Sequence, residues 1–522
     1  MSRKVDASQH ADYSIGGVIE EDTTSGHRDA KSFLKNSIML SIMSLMVSAL
    51  GFIYRVYIAR YFGSSGFGVY LFVITFIDYF GVISLFGFRN VIVRQVAAQR
   101  DQTGSYTRVG LELRLASSVI ALALAVAITF FLKKTNTVEV FKQRSDIEVL
   151  IFAYALSIPA VAITDILHAV FLGLERSEFS ALSTVISNML KIVIGITLIM
   201  YGYGLLAVFI VFTTTSALNG FLNWFFLRYK LGIALPSAHS KLREMRRYVF
   251  FEALPFWYVT LICKVYYRND ILILGWLKGD KVLGVYGGAY MAIDLLLLLG
   301  GAITTAVYPV LSRAYVTDPQ RVSRYYALLS KYIFLVFAPI CIGVSVLGPK
   351  LVPLILGKGY QGSIPALRVL IWMVLFETLT LVGGNVLAAT GNQKKQAVLA
   401  AVIAGVSFLL TLGLVKLWGY MGAAWATTLG AVVSFLGTSW LVSKLLRSGY
   451  LIKVLIAPLF AVAVMGFVTQ LFSKSMAYAS LAVGMLMYIV LLFACHIITE
   501  EEKQIVRTVL RIRKASNECQ SV

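Results

Sequence analysis

Charge is scarce in this chain: 14% of its 522 residues are Asp, Glu, Lys or Arg, whereas 58% are hydrophobic and the mean hydropathy is +0.79. A soluble domain of that length cannot hide so much apolar surface, so the water-soluble classes are excluded at the outset. Cysteine is equally sparse. Cys263, Cys341, Cys495 and Cys519 are scattered without a CxxC pair or metal-ligand spacing, and read as small buried residues rather than a disulfide or zinc framework. Also missing are GxxxxGK[ST], which removes an ATP-driven pump, and the DxD, HExxH and GxSxG signatures of catalytic sites. The longest outer connections, near 133–146 and 349–364, leave little room for a catalytic domain beyond a membrane, so the chain is expected not to be an enzyme.

What is present is apolar length. Runs near twenty residues, enough to cross hydrocarbon as helix, recur at 36–58, 67–88, 110–132, 147–172, 180–200, 205–227, 249–275, 283–309, 326–348, 365–389, 397–416, 420–442, 453–472 and 476–498. They are too long and too glycine-rich for the alternating strands of a lipid-facing barrel. The expected fold class is an all-α polytopic membrane protein of about 14 transmembrane helices. Counting the end turns of each span with the loop they adjoin, 31 of the 47 Lys and Arg fall on the side of the two termini, 12 on the other side and four within spans. That bias sets both termini in the cytoplasm of a cell-membrane protein. The formal charge of +21 therefore reflects topology and anionic headgroups, not a nucleic-acid partner. Residues 1–34, polar and of mixed charge, are expected to form a disordered cytoplasmic tail with no cleavable signal peptide, and 499–522 a second cytoplasmic tail.

A long repeat organises the spans. GVYLFVITFID begins at Gly68 and GVYGGAYMAID at Gly284, an offset of 216 residues. Lys134 maps onto Lys350 at the same offset, LERSE at 174–178 onto TGNQK at 390–394, and GYG at 202–204 lands one residue off on GYM at 419–421. Agreement among landmarks indicates internal duplication. The halves are an N-lobe (35–230, helices 1–6) and a C-lobe (249–446, helices 7–12), joined by a basic cytoplasmic linker (231–248) and followed by two further helices (453–498). An even helix number per lobe makes the repeats parallel, a geometry suited to rocking around a central cavity.

Charged residues inside these spans are the candidate functional groups, since each costs ~2.5–3.5 kcal/mol on insertion scales. Asp78 and Asp294 end the two GVY words, and two readings stay open: hydrogen bonds that lock each lobe, or paired proton carriers. Lys264 and Arg268, four apart in KVYYRNDILILGW, are expected on one helical face as a site for a doubly charged anion such as pyrophosphate, unless Asp270 neutralises them. Arg55 falls near the pseudo-equivalent of Asp270 and carries a weaker signal, because snorkelling to the outer end is easy there. Asp165 and His168, three apart, form either a proton relay or a mutually satisfied pair. Lys191 is a lone intraspan cation, and Glu377 with Asn385 is a weak candidate for a coupling cation. Tyr54, Tyr57, Trp257, Tyr266 and Tyr267 suit sugar stacking, although an interfacial belt produces the same enrichment.

These stretches also carry a family likeness. YIARYFGSSGFGVY with LFGFRNVIVRQVA, then ALPFWYV and YYRNDILILGWLKGDKVLGVYGGAY with AVYPVLSRAY, and finally LAATGNQKK and WGYMGAAWATTLG, together resemble the polysaccharide flippases of the multidrug/oligosaccharidyl-lipid/polysaccharide exporter superfamily over about 35–446. The resemblance implies a two-lobed flippase that moves a polyprenyl-linked oligosaccharide between leaflets, with Arg268, Lys264 and Arg55 at its (pyro)phosphate. It implies lipid-linked glycan and membrane lipids as partners, with glycan-assembly enzymes as further candidates. No cofactor is expected; the drive is an ion gradient (H+ or Na+), the membrane potential or the substrate gradient itself, and Asp78, Asp294, Asp270, Glu377 and Asp165 are the candidate coupling or structural acids. The alternatives are a drug/cation antiporter of the same superfamily and a membrane scaffold for glycan assembly.

Overall fold

The apolar runs fold as helices because a bilayer leaves backbone polar groups no partner but their own chain. The computed structural model describes residues 15–236, 240–266, 268–446, 450–472 and 477–494, and every regular element among them is helical. In chain order these are α1 (Ile15–Leu85), α2 (Phe88–Ala98), α3 (Thr103–Thr135), α4 (Glu139–Gln143), α5 (Ile147–Ala155), α6 (Ser157–Gly173), α7 (Ser177–Met200) and α8 (Leu205–Phe225). The second half follows as α9 (Ser240–Tyr266), α10 (Asn269–Lys278), α11 (Asp280–Thr317), α12 (Pro319–Leu356), α13 (Ser363–Ala389), α14 (Gln393–Leu446), α15 (Tyr450–Phe472) and α16 (Ala477–Ala494).

Ten helices among the described residues are long and apolar enough to cross a membrane, and the chain is a multi-pass membrane protein. Two of the ten are bent at glycine: α1 at Gly63 and α14 at Gly419. The window expected at 249–275 falls on α9 and α10, which are not among the ten, and that at 476–498 on the shorter apolar helix Tyr478–Ala494. Residues 15–34, expected to be disordered, belong to α1: the helix extends beyond the apolar run. The tail expected at 499–522 lies outside the described residues.

The duplication is written in the backbone. Gly63 (φ 67, ψ −173) and Gly279 (φ 82, ψ −172) adopt nearly the same conformation 216 residues apart. Glu175 and Gly391 repeat a positive φ at the same offset, and Gly202 and Gly419 repeat one at 217. The sequence landmarks are thus the turns at which left-handed backbone restarts each helix.

The lobes meet where the two GVY words cross. A Cβ on Gly68 would lie 1.9 Å from the Asp280 carbonyl oxygen, and one on Gly284 would lie 1.6 Å from that of Ser64. Since Ser64 and Asp280 are themselves 216 apart, the crossing of α1 and α11 is pseudo-symmetric, and only glycine permits backbones so close. Ser65 Oγ donates to Asp280 Oδ2 (2.7 Å), Arg60 donates to the carbonyls of Leu354 and Ile355, and Tyr360 donates to that of Ala59 (3.0 Å), closing this glycine end.

The opposite end is closed by α9 against α2 and α3. Leu242, Met245, Val249 and Ala253 of α9 share a buried apolar cluster with Phe88, Ile92 and Val109. Arg94 pairs with Glu252 at 2.6 Å, Gln95 donates to the Tyr248 hydroxyl at 2.9 Å, and the Phe86 and Trp257 rings stack at 4.5 Å.

Candidate functional site

Between the two closures, the lobes face each other through charge. Asp78 and Asp294 each lie 15 residues beyond the glycine that restarts their helix, about 22 Å along it at 1.5 Å per residue. The duplication therefore sets both acids at the same level, yet their partners differ. Asp294 Oδ2 accepts from Arg55 Nη1 of the N-lobe (2.8 Å) and Oδ1 from Arg268 Nη2 of the C-lobe (2.6 Å). One carboxylate thus joins two guanidiniums from opposite lobes. Asp78 meets Lys264 Nζ of the other lobe at 3.4 Å. Asp78 is thus tied across the lobe interface, whereas Asp294 is bound both within its own lobe, by Arg268, and across the interface, by Arg55.

Lys264 and Arg268 do not share a continuous helical face. The helix stops at Tyr266 and restarts at Asn269, with Arg268 in the left-handed region (φ 76) as the N-cap of α10. Nothing in the residue types announces this: Pro255 sits inside α9, and YYRN holds neither proline nor glycine. The break separates the two cations and sends them to different acids. The Arg268 guanidinium also covers the Tyr290 ring at 4.7 Å, and Lys264 lies 5.7 Å from the Tyr79 ring.

Asp270 faces the interior of the C-lobe rather than neutralising either cation. It is 1% exposed and accepts from Tyr286 (2.5 Å), Tyr290 (2.8 Å), Thr427 (3.3 Å) and the Ile271 amide (2.9 Å). That set satisfies the carboxylate and stiffens α10 against α11 and α14.

Arg55 lines a cavity of about 340 Å³ between α1, α7, α8 and α11, with Lys191, Tyr70, Phe212 and Asp294. Lys191, a lone intraspan cation in sequence, lines the same cavity as Arg55. Its ammonium donates to Asn188 Oδ1 (2.6 Å) and lies 4.8 Å from the Phe212 ring. Around this centre four cations (Arg55, Lys191, Lys264, Arg268) meet two carboxylates (Asp78, Asp294), and Asp270 lines the same small cavity as Arg268 and Asp294, so the balance is one positive charge. A polyanion is the ligand such a balance favours, with the guanidiniums supplying forked donors.

The remaining candidates sit elsewhere. Asp165 pairs with Arg89 (3.0 Å) and faces Arg114 (3.6 Å), while His168 Nε2 is buried without a hydrogen-bond partner. The relay or mutual pair expected of Asp165 and His168 gives way to two arginines; Arg114 is 2% exposed and also donates to Ser84. Glu377 is buried on α13, and Asn385 donates its amide to the Thr304 carbonyl of α11 (2.8 Å). No cluster of three or more Asp, Glu, His or Cys suited to a metal occurs among the described residues. Tyr54 is 1% exposed and stacks on Phe212 (6.1 Å), Trp257 stacks on Phe86, and the Tyr266 and Tyr267 side chains lie outside the described residues. Cys341 is buried and donates to the Ile371 carbonyl, as a small core residue does, while the Cys263 side chain and residues Cys495 and Cys519 fall outside the description.

A two-lobed helical body with a cationic centre belongs to a membrane transporter, and comparison with known proteins agrees. Residues 33–315 match the model of the polysaccharide biosynthesis protein family, to which the chain belongs. A putative O-antigen transporter of Shigella flexneri is 24% identical over 433 residues, covering 79% of this chain and 98% of the relative. The teichuronic acid biosynthesis protein TuaB of Bacillus subtilis (strain 168) is 25% identical over 312 residues, 56% of this chain and 62% of that protein. Among solved structures, the lipid II flippase MurJ in an inward closed conformation superposes with a TM-score of 0.68 at 17% identity, covering 87% of this chain and 98% of that one. An inward-facing multidrug resistance transporter of the MATE family, in the MOP superfamily, gives 0.59 at 14% identity over 79% and 99%. These likenesses establish the fold as that of the superfamily.

Proposed function

We propose that the chain is a flippase that carries a polyprenyl-(pyro)phosphate-linked oligosaccharide across the cytoplasmic membrane by alternating access, with both termini in the cytoplasm. The observation that carries this reading is the shared carboxylate: Arg55 and Arg268, from opposite lobes, converge on Asp294. A (pyro)phosphate offers the same two arginines more oxygens and more charge than Asp294 does. Substrate entering the centre therefore takes the arginines, breaks the tie between the lobes and lets them rock. Lys191 lies beside Arg55 to receive further negative charge, and the sugars occupy the space between the lobes while the lipid remains in the bilayer. Asp294, once released, and its pseudo-symmetric counterpart Asp78, held by Lys264, are the acids at which a coupling ion (H+ or Na+) acts. Membership of the polysaccharide biosynthesis family and the O-antigen transporter relative support a lipid-linked glycan as substrate.

The drug/cation antiporter reading fits this centre poorly. A cationic ligand 4 Å from the Lys191 ammonium, which meets Asn188 and the Phe212 ring rather than a carboxylate, is repelled by about 1–4 kcal/mol across the dielectric range of such sites. The test is the double variant Arg55→Ala/Arg268→Ala in cells whose surface glycan depends on this protein. Surface glycan is expected to disappear while folded protein remains in the membrane. Normal glycan in the double variant would remove the anion site.

A further inference from the structure

A second cationic pocket lies outside the lobe centre. A cavity of about 510 Å³ opens between α12, α13 and α15 and shares no lining residue with the Arg55–Asp294 cavity. Lys350 of α12 and Arg368 of α13 stand in its wall with Ser345 and Trp372, and no Asp or Glu lines it. Lys350 lies six residues before the end of α12 and Arg368 five after the start of α13, so both cations sit about 8–9 Å inside the glycine-end helix termini. The Lys350 ammonium rests 3.6 Å from the Tyr478 ring, and Arg368 Nε donates to the Ser345 carbonyl at 3.2 Å, which leaves the rest of the guanidinium for a ligand. Ser345 Oγ is a buried hydroxyl without a partner in the same wall.

Polarity changes along the pocket. Ile342, two helical turns deeper on the Lys350 face of α12, and Gly466 of α15 form its apolar part. A ligand with a phosphate at one end and a hydrocarbon stem at the other matches that gradient, and cations this near the helix ends suit a headgroup at the membrane surface. The volume admits a headgroup and its first methylenes. We infer that this pocket binds the phosphodiester headgroup of an anionic bilayer phospholipid, held by Lys350 and Arg368, and that the lipid fastens α15 and α16 to the C-lobe.

The test uses the full-length protein in detergent, titrated separately with phosphatidylglycerol, phosphatidylcholine, a polyprenyl phosphate and inorganic phosphate, and read by native mass spectrometry and thermal unfolding. The wild type is expected to retain phosphatidylglycerol in preference to phosphatidylcholine and to unfold at a higher temperature with it. Lys350→Gln/Arg368→Gln is expected to lose about tenfold or more in apparent affinity together with that thermal gain. Both side chains are exposed, so the double variant is expected to fold. Gly466→Leu, which fills the apolar part without touching charge, is expected to lose the lipid as well. Equal retention by wild type and the charge variant would overturn the proposal, as would equal binding of phosphatidylcholine. Stronger retention of polyprenyl phosphate, or displacement of the lipid by millimolar inorganic phosphate, would overturn the assignment to a bilayer phospholipid.

Discussion

Substituting Gly284 by alanine tests the glycine crossing at the level of ångströms. The added Cβ would stand 1.6 Å from the Ser64 carbonyl oxygen, a backbone atom that no rotamer change can move. An ordinary carbon–oxygen contact begins near 3.3 Å, so α1 and α11 must part by about 1.7 Å. Overpacking of this kind costs about 1–3 kcal/mol, and the strain falls on the Ser65–Asp280 and Arg60 contacts that hold the same end closed. Spin labels at the exposed Tyr61 and Lys281 report the separation by pulsed electron resonance. The expected result is a longer or broader distance distribution, with a lowered melting temperature. Gly68→Ala meets the Asp280 carbonyl and is expected to behave alike, because the crossing is pseudo-symmetric. An unchanged distance and melting temperature in both variants would refute the claim that these glycines set how closely the lobes approach.

Three further outcomes follow from the same contacts. Asp270→Ala leaves the Tyr286 and Tyr290 hydroxyls buried without their acceptor and is expected to destabilise by about 2–5 kcal/mol, read as a fall in the thermal midpoint; a near-neutral result would return Asp270 to the transport site. Glu252→Gln breaks a half-exposed pair with Arg94, so its cost should stay under about 1 kcal/mol in chemical unfolding, and a larger loss would mean that this pair, not the apolar cluster around it, holds the α2 end shut. Lys191→Met keeps the contact with Phe212 but removes a cation beside Arg55, and is expected to cut surface glycan without lowering the melting temperature; full glycan export would exclude Lys191 from the site.

Much of the fold was legible because glycine and apolar length act locally. The 216-residue offset between Gly68 and Gly284 is visible in the letters, and it is visible for a reason: each glycine admits the other helix's backbone. The turns at 174–178 and 202–204 repeat for a similar reason, a need for positive φ. The break before Asn269 was not legible, since Arg268 is an unusual residue for left-handed backbone and the nearest proline lies inside α9. Pairings across the lobes were equally hidden. Arg55 looked free to snorkel until Asp294, 239 residues away, was found beside it. The burial of Arg114 was hidden too, since it depends on Asp165 and Ser84 from other helices. Charge inside a span announces a site; its partners are set by how helices distant in sequence come together.

The central claim is that the positive centre moves an anionic glycolipid. Purified protein in proteoliposomes, given a polyprenyl-diphosphate-linked oligosaccharide on one leaflet and a cationic dye in parallel, tests it most directly. Glycolipid movement that Arg55→Ala/Arg268→Ala abolishes, with no dye transport, is the predicted result. Dye transport with the glycolipid left in place would contradict the account.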